Sequence, residues 1–166
     1  MRNSSAKSVA LGGILASLAV VIFSLGGLIP VATYICPVLC MMLLKAVLMF
    51  CGKQIAWAWY ALVSILALLF CPDKEAALFF LFLGYYPIVK PALDRSRLAL
   101  LWKLLLFHIS TFCVYVLLIW ITGMDAILQD YRELGIIGLV IMLILGNVTF
   151  FLLDILLGRK FSRKIK

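Results

Sequence analysis

Charged side chains are scarce in this sequence: they make up 13% of its 166 residues, whereas 66% are hydrophobic. The mean hydropathy of +1.21 excludes an ordinary soluble domain, which could not hide that much apolar surface in its core. Lipid is therefore the expected solvent for most of the chain. The net charge of +8 does not predict nucleic-acid binding, because the basic residues form no face of a soluble fold.

Histidine is nearly absent, since His108 is the only one, and acidic residues are almost missing from the apolar segments. One imidazole cannot complete a zinc site, and the HExxH, GxSxG and P-loop patterns do not occur. We therefore expect no catalytic residues, no metal, no cofactor and no enzymatic activity.

The cysteines match no metal-binding spacing, and all lie in or at the ends of apolar segments: Cys36, Cys40, Cys51, Cys71 and Cys113. Cysteines in such positions act as small buried hydrophobic residues. A disulfide between Cys36 and Cys71 is an alternative that the sequence leaves open.

Six nearly uncharged runs remain, and a helix of about 20 residues crosses the hydrocarbon of a bilayer. The sequence predicts an all-α membrane protein, a single bundle over residues 1–166 with transmembrane helices at about 8–29, 33–51, 54–71, 76–92, 98–122 and 134–158. The first run is longer than the apolar region of a signal peptide, which favours an uncleaved helix. The longest predicted connection is Gly123–Glu133.

Charge is distributed unequally between the two sides of this topology. Of the 15 basic residues, all except Lys74 and Arg132 fall at or near one side. The acids show the opposite bias, because only Asp94 and Asp154 of the seven lie on the basic side. Basic residues concentrate on the cytoplasmic side of membrane proteins. The pattern predicts a multi-pass protein of the cell membrane with both termini in the cytoplasm.

The fourth predicted helix is short and is interrupted near its inner end by Pro87 and Pro91. Short, proline-broken spans are common where transmembrane helices line a binding site. Tyr85 and Tyr86 precede Pro87, and their hydroxyl groups need partners inside a membrane. Either these tyrosines bond a neighbouring helix or they line a small-molecule pocket.

Other polar residues are also candidates for contact with a ligand. His108 and Asn147 lie within predicted spans, where an unpaired polar group is costly. Hydrogen bonding between helices is their alternative role. Tyr34 follows the first predicted external loop, which either covers a pocket or is an ordinary solvated turn.

Small side chains recur along the first predicted helix. Ser8, Gly12 and Ala16 are spaced by four residues on one face, and the pairs Ala6–Ala10 and Gly13–Ser17 lie beside them. In lipid, close backbone approach at small residues drives helix association. The small face therefore either packs inside the bundle or docks on a partner subunit.

The segment Ala10-Leu11-Gly12-Gly13-Ile14-Leu15-Ala16-Ser17-Leu18-Ala19 resembles a known family. It is similar to the alanine-rich first helix, with its AxxxA-type motif, of the S components of bacterial energy-coupling factor (ECF) vitamin transporters. The length and six-span layout are similar as well. The resemblance implies a substrate-binding subunit that captures a vitamin or similar small nutrient at the outer face. A transmembrane coupling subunit and cytoplasmic ATPases would be its partners.

By position, the resemblance implies substrate contact for Tyr34, Tyr85, Tyr86 and Asn147, to which polarity adds His108. It implies docking through Ala6, Ala10, Gly12 and Ala16. The stretch Asp73–Asp94 also resembles uncharacterised clostridial membrane proteins of similar length. The alternative function is a non-transporting membrane scaffold that resembles the MreD component of the cell-shape machinery, with six spans and no pocket.

Overall fold

The structure is a computed structural model that describes residues 2–26, 32–122 and 124–158, with side chains described at 6–26, 33–121, 140–141 and 143–158. All regular structure in these residues is helical, which confirms the all-α prediction for them. The helices are α1 (Arg2–Gly26), α2 (Ala32–Cys51), α3 (Lys53–Phe70), α4 (Lys74–Leu83), α5 (Tyr86–Leu93), α6 (Ala99–Thr122) and α7 (Met124–Gly158).

Five stretches of the described residues are long and apolar enough to cross a membrane: Ala6–Gly26, Thr33–Cys51, Lys53–Phe70, Lys74–Leu93 and Ala99–Ile121. They agree closely with the first five predicted spans, although residues 27–29 of the first prediction lie outside the described residues. Leu143–Gly158 is a shorter apolar helical stretch within the sixth prediction. Several long apolar helices thus indicate a multi-pass membrane protein, in which helices satisfy their own backbone hydrogen bonds.

The predicted span at 76–92 lies within one apolar stretch, and the interruption that its prolines predicted divides it into two helices, α4 and α5, with Gly84 and Tyr85 between them. One detail of the sequence prediction is wrong. The predicted connection Gly123–Glu133 is largely helical, because α7 begins at Met124. Residues 124–134 contain neither proline nor glycine and include good helix formers such as Leu, Gln, Arg and Glu. Helix formation therefore continues where apolarity ends.

The chain divides into two compact units, Met1–Val116 and Leu117–Lys166. In the first unit, α1, α2 and α3 pack against one another, and α4 and α5 pack on α2 and α3. In the second unit, the buried side chains among the described residues of α7 recur every three or four residues on one helix face: Phe150, Leu153 and Leu157. The prediction of one bundle over the whole chain stays a prediction.

The connection between α2 and α3 is a single residue, Gly52, with a φ of +90° and a ψ of 172°. This backbone conformation is open almost only to glycine. Its carbonyl accepts a hydrogen bond of 3.0 Å from the Ala56 N–H and thereby starts α3. Gly52 thus allows two spans to reverse direction within one residue.

Replacing Gly52 with alanine is expected to lower the free energy of unfolding by about 1–3 kcal/mol, the cost of a strained backbone conformation. A steric clash would not be the cause, because no described atom lies within 4 Å of a Cβ placed there. Unfolding in mixed detergent micelles, followed by tryptophan fluorescence, measures the loss. Gly13→Ala is the control, because that position is equally open but helical, and there alanine is favoured over glycine. Equal stability of the two variants would contradict the explanation.

Candidate functional site

The span formed by α4 and α5 is broken at Gly84 and Tyr85. Pro87 lies in the first turn of α5, where its missing N–H is tolerated, but it could not donate within a continuous helix. A Cβ on Gly84 would meet the Phe80 carbonyl oxygen and would lie 2.9 Å from Cδ2 of the Phe80 ring. Glycine is therefore required where α4 stops and the chain turns into α5.

The carbonyl groups in the last turn of α4 lack donors within their own helix, because α4 ends at Leu83. Side chains of neighbouring helices donate to two of them. The Tyr60 hydroxyl of α3 donates to the Leu81 carbonyl. The Ser110 hydroxyl of α6 donates to the Phe82 carbonyl at 3.1 Å. These bonds explain how a broken helix is tolerated at this depth, and they tie α4 to both α3 and α6.

Aromatic rings surround the break. Phe80 is fully buried and makes edge contact with Phe23, at a centroid distance of 5.3 Å, and a tilted contact with Tyr60 at 5.9 Å. Tyr85 is stacked on Trp57, with centroids 6.4 Å apart and an interplanar angle of 18°. Such pairs contribute beyond the area that they bury. Tyr85 therefore packs against aromatic residues in the first two turns of α3.

Tyr86, the second tyrosine predicted to contact substrate, is 0% exposed. Tyr85 is half-buried. The two alternatives for these tyrosines were contact with a neighbouring helix and lining of a small-molecule pocket. The observed ring contact of Tyr85 is with Trp57 of the neighbouring helix α3. A role for either tyrosine in binding a ligand stays a prediction.

One end of the first unit, here called the Asp73 end, is where α3 stops and α4 begins. Asp73 is the N-cap of α4, and its Oδ1 accepts a hydrogen bond of 3.2 Å from the Ala76 N–H. Its Oδ2 accepts one of 2.5 Å from the Thr33 hydroxyl at the start of α2. Lys74 caps the other helix, because its Nζ lies 2.9 Å from the Leu68 carbonyl oxygen and 3.0 Å from that of Cys71. The turn between α3 and α4 is thus capped on both sides.

Tyr34, the third predicted substrate residue, also lies at the Asp73 end. Its ring makes edge contact with Phe79 at 5.8 Å, and its hydroxyl is hydrogen-bonded to Tyr115 of α6. Tyr115 is in turn hydrogen-bonded to Glu75. Tyr34 is 39% exposed. The structure therefore does not join Tyr34 with Tyr85, whose ring partners lie nearer the opposite end of the unit.

The opposite end, here called the Asp94 end, contains a group of charged residues that join α5 to α6. The Asp94 carboxylate lies 3.3 Å from Lys90 Nζ through Oδ2 and 2.5 Å from Lys103 Nζ through Oδ1. Lys90 and Lys103 are only 7% and 9% exposed. Charges buried to this extent are stable only when paired or hydrogen-bonded. Asp94 therefore holds the start of α6 against the end of α5.

Helix α1 has two faces of small residues with different environments. Gly12 and Ala16 are buried, and a Cβ on Gly12 would lie 3.5 Å from Cγ2 of Ile55 in α3. Ala6 and Ala10 are exposed. Of the four predicted docking residues, two therefore pack inside the first unit and two are on the surface. The structure extends the surface set, since Gly13 and Ser17 are also exposed.

Four cysteines act as hydrogen-bond donors to the backbone of α1, a role that the sequence analysis missed. The contacts are Cys36 to Ile22 (3.5 Å), Cys40 to Ala19 (3.8 Å), Cys51 to Ser8 (3.2 Å) and Cys71 to Phe23 (3.3 Å), each from Sγ to a carbonyl oxygen. The order of these contacts makes α1 and α2 antiparallel. Burial raises the pKa of the Cys71 thiol, which keeps its proton and remains a donor.

All five cysteines are free thiols, so the alternative of a disulfide between Cys36 and Cys71 is not realised in this structure. Among the described residues, no group of three or more His, Cys, Asp or Glu is arranged to hold a metal ion. The sequence signal for the thiol contacts is the position of three cysteines, Cys36, Cys40 and Cys51, on one face of α2. The sequence does not show that this face meets α1, which only the packing reveals.

The last two predicted substrate residues use their polar groups within their own helices. His108 of α6 is exposed, and its Nδ1 lies 2.8 Å from the Leu104 carbonyl oxygen. Asn147 belongs to the second unit, and its Nδ2 donates to the Leu143 carbonyl at 2.8 Å. These bonds lower the cost of a polar side chain in lipid. They leave the predicted ligand roles of both residues untested.

The described residues form helices typical of a multi-pass membrane protein, with a broken span, a capped turn at the Asp73 end, ion pairs at the Asp94 end and one small-residue face exposed on α1. Comparisons of the chain with protein-family models, curated proteins and solved structures found no match.

Proposed function

We propose that this chain is the substrate-binding subunit of an ECF-type importer, which captures a vitamin or similar small nutrient at the outer face of a bacterial cell membrane. The proposal includes six spans, with both termini in the cytoplasm and with the Asp94 end on the cytoplasmic side. The charge bias of the connections supports this orientation. The observation that carries the proposal is the exposed small-residue face of α1, formed by Ala6, Ala10, Gly13 and Ser17.

This exposed face suits a partner helix for a physical reason. Helices in lipid gain little by hiding apolar area, so close backbone contact at small residues is what favours their association. The described atoms leave the space around Gly13 empty to 4 Å, and the Ser17 hydroxyl donates to the Ile14 carbonyl at 2.8 Å. The hydroxyl on this face is therefore satisfied within α1, and the small side chains allow another helix to approach closely. Under the proposal, that helix belongs to the transmembrane coupling subunit, which cytoplasmic ATPases drive.

Two adjacent glycines test the proposal, because one is buried and the other exposed. We expect Gly13→Leu to keep the isolated chain stable and to abolish its co-purification with coupling subunits in a co-expression experiment. Gly12→Leu is the matched control and is expected to destabilise the isolated chain, because the new side chain meets Ile55 of α3. Melting temperatures in detergent separate the two effects. Normal assembly of Gly13→Leu would remove the basis for docking through this face.

Substrate capture requires a separate measurement. The purified chain, extracted in mild detergent and analysed by native mass spectrometry, is expected to retain a small molecule released by denaturation. Substitution of Tyr34 by alanine is expected to reduce retention, since this predicted substrate residue lies at the Asp73 end, the proposed outer end. Failure to retain any small molecule, together with failure to assemble with coupling subunits, would refute the proposal.

A non-transporting scaffold is the second candidate, and the contacts at the Asp73 end favour it. Thr33 is bonded to Asp73, and Tyr34 to Tyr115, so polar side chains there are bonded to one another. A scaffold needs such packing and no pocket. The two candidates differ in one result: a scaffold would co-purify with other cell-envelope proteins and would retain no small molecule.

A further inference from the structure

The turn between α5 and α6, residues 94–98 and here called the elbow, carries two exposed arginines. Four of its five N–H groups are hydrogen-bonded locally: those of Asp94, Arg95 and Ser96 donate to carbonyls of α5, and that of Leu98 donates to Ser96 Oγ at 3.4 Å. Within the described residues, the guanidinium groups of Arg95 and Arg97 form neither a hydrogen bond nor an ion pair. The elbow is therefore a hydrogen-bonded turn that carries two cationic side chains.

The nearest acid does not neutralise these arginines. Asp94 is adjacent to Arg95 in sequence, but its Oδ2 is paired with Lys90 and its Oδ1 with Lys103. The elbow and the two lysines that flank it thus contain four basic side chains and one acid, Asp94. The field around the elbow is positive and attracts an anion.

The elbow also has a defined depth. It joins the apolar spans Lys74–Leu93 and Ala99–Ile121, so it lies at a membrane surface whichever way the chain is oriented. Beside the arginines, the last residue of the elbow and the first turn of α6 carry exposed apolar side chains: Leu98 at 59%, Leu101 at 59% and Trp102 at 49%. A tryptophan at this level is typical of the interface between headgroups and acyl chains.

We propose that the elbow binds an anionic phospholipid, with Arg95 and Arg97 contacting the phosphodiester headgroup and with Leu98 and Trp102 against the acyl chains. Arginine suits this role because its planar guanidinium donates two parallel hydrogen bonds to phosphate oxygens. A zwitterionic lipid offers the same phosphate but adds a cation that the field of the elbow repels. Phosphatidylglycerol is therefore preferred to phosphatidylcholine. This binding site does not depend on the proposed function.

Native mass spectrometry of the full chain in detergent tests the site, by titration with phosphatidylglycerol or phosphatidylcholine that have the same acyl chains. We expect tighter binding of phosphatidylglycerol to the wild type. The double variant R95Q/R97Q is expected to lose that preference, with phosphatidylglycerol affinity reduced by roughly 30-fold. The matched control is K7Q/K53Q, which removes two exposed cations at the same end but outside the elbow. It should keep the preference.

Melting temperatures establish that both double variants are folded, which is expected because all four positions are exposed. Two results would overturn the proposal. One is an equal loss of affinity in the two double variants, since this would indicate a general attraction to the basic end. The other is a phosphatidylglycerol preference that survives R95Q/R97Q or is absent from the wild type.

Discussion

Gly84→Ala is expected to lower the free energy of unfolding by about 2–3 kcal/mol, because the added methyl group overpacks its surroundings. The new methyl group would meet the Phe80 carbonyl oxygen and would lie 2.9 Å from Cδ2 of its ring. The backbone cannot yield easily, because Leu81 and Phe82 are bonded to Tyr60 and Ser110. Denaturant unfolding in micelles measures the change.

A second effect should accompany the loss of stability. Displacement of Phe80 would disturb the rings around it, including Trp59, whose centroid lies 6.5 Å away. We therefore expect a change in the near-ultraviolet circular dichroism of Gly84→Ala, whereas Gly13→Ala, at an open position, should leave the spectrum unchanged. A variant with wild-type stability and an unaltered spectrum would mean that the turn between α4 and α5 is not constrained by glycine.

Hydropathy alone located the spans well, because the absence of charge over about 20 residues is a property of the sequence that needs no tertiary information. The same signal was less informative about helix ends. It predicted a connection at 123–133, where the charged and polar residues are also good helix formers and α7 has already begun. The prolines of the fourth span correctly predicted an interruption, but the position of the break at Gly84 and Tyr85 came from the structure.

The residues of the candidate site were harder to predict, because their roles depend on which way each helix is rotated. Gly12 and Gly13 are equivalent in the sequence, and each begins a small-residue pair. Only the packing of α1 on α2 and α3 makes Gly12 buried and Gly13 exposed. For the same reason, Tyr60 and Ser110 could not be assigned as donors to α4, since a hydroxyl in a span can bond its own helix or a neighbour.

The ion pairs between Asp94 and two buried lysines give the other large expected effect on stability. We expect Asp94→Asn to lower the free energy of unfolding by about 2–3 kcal/mol, less than for a fully buried pair because the carboxylate side chain is 43% exposed. The variant keeps the shape of the side chain but leaves the charges of Lys90 and Lys103 without this counterion. Both are at least nine-tenths buried, so water cannot readily replace the carboxylate.

The two lysines should not contribute equally. Lys103 Nζ is the closer to the carboxylate, at 2.5 Å against 3.3 Å, and it lies in the second turn of α6, near the positive end of the helix dipole. Lys90 lies in the last turn of α5, where the dipole already favours a cation. Double-mutant cycles of Asp94→Asn with Lys103→Gln and with Lys90→Gln measure the two couplings. We expect the larger coupling for Lys103; an equal or reversed order would contradict the ranking by distance and helix dipole.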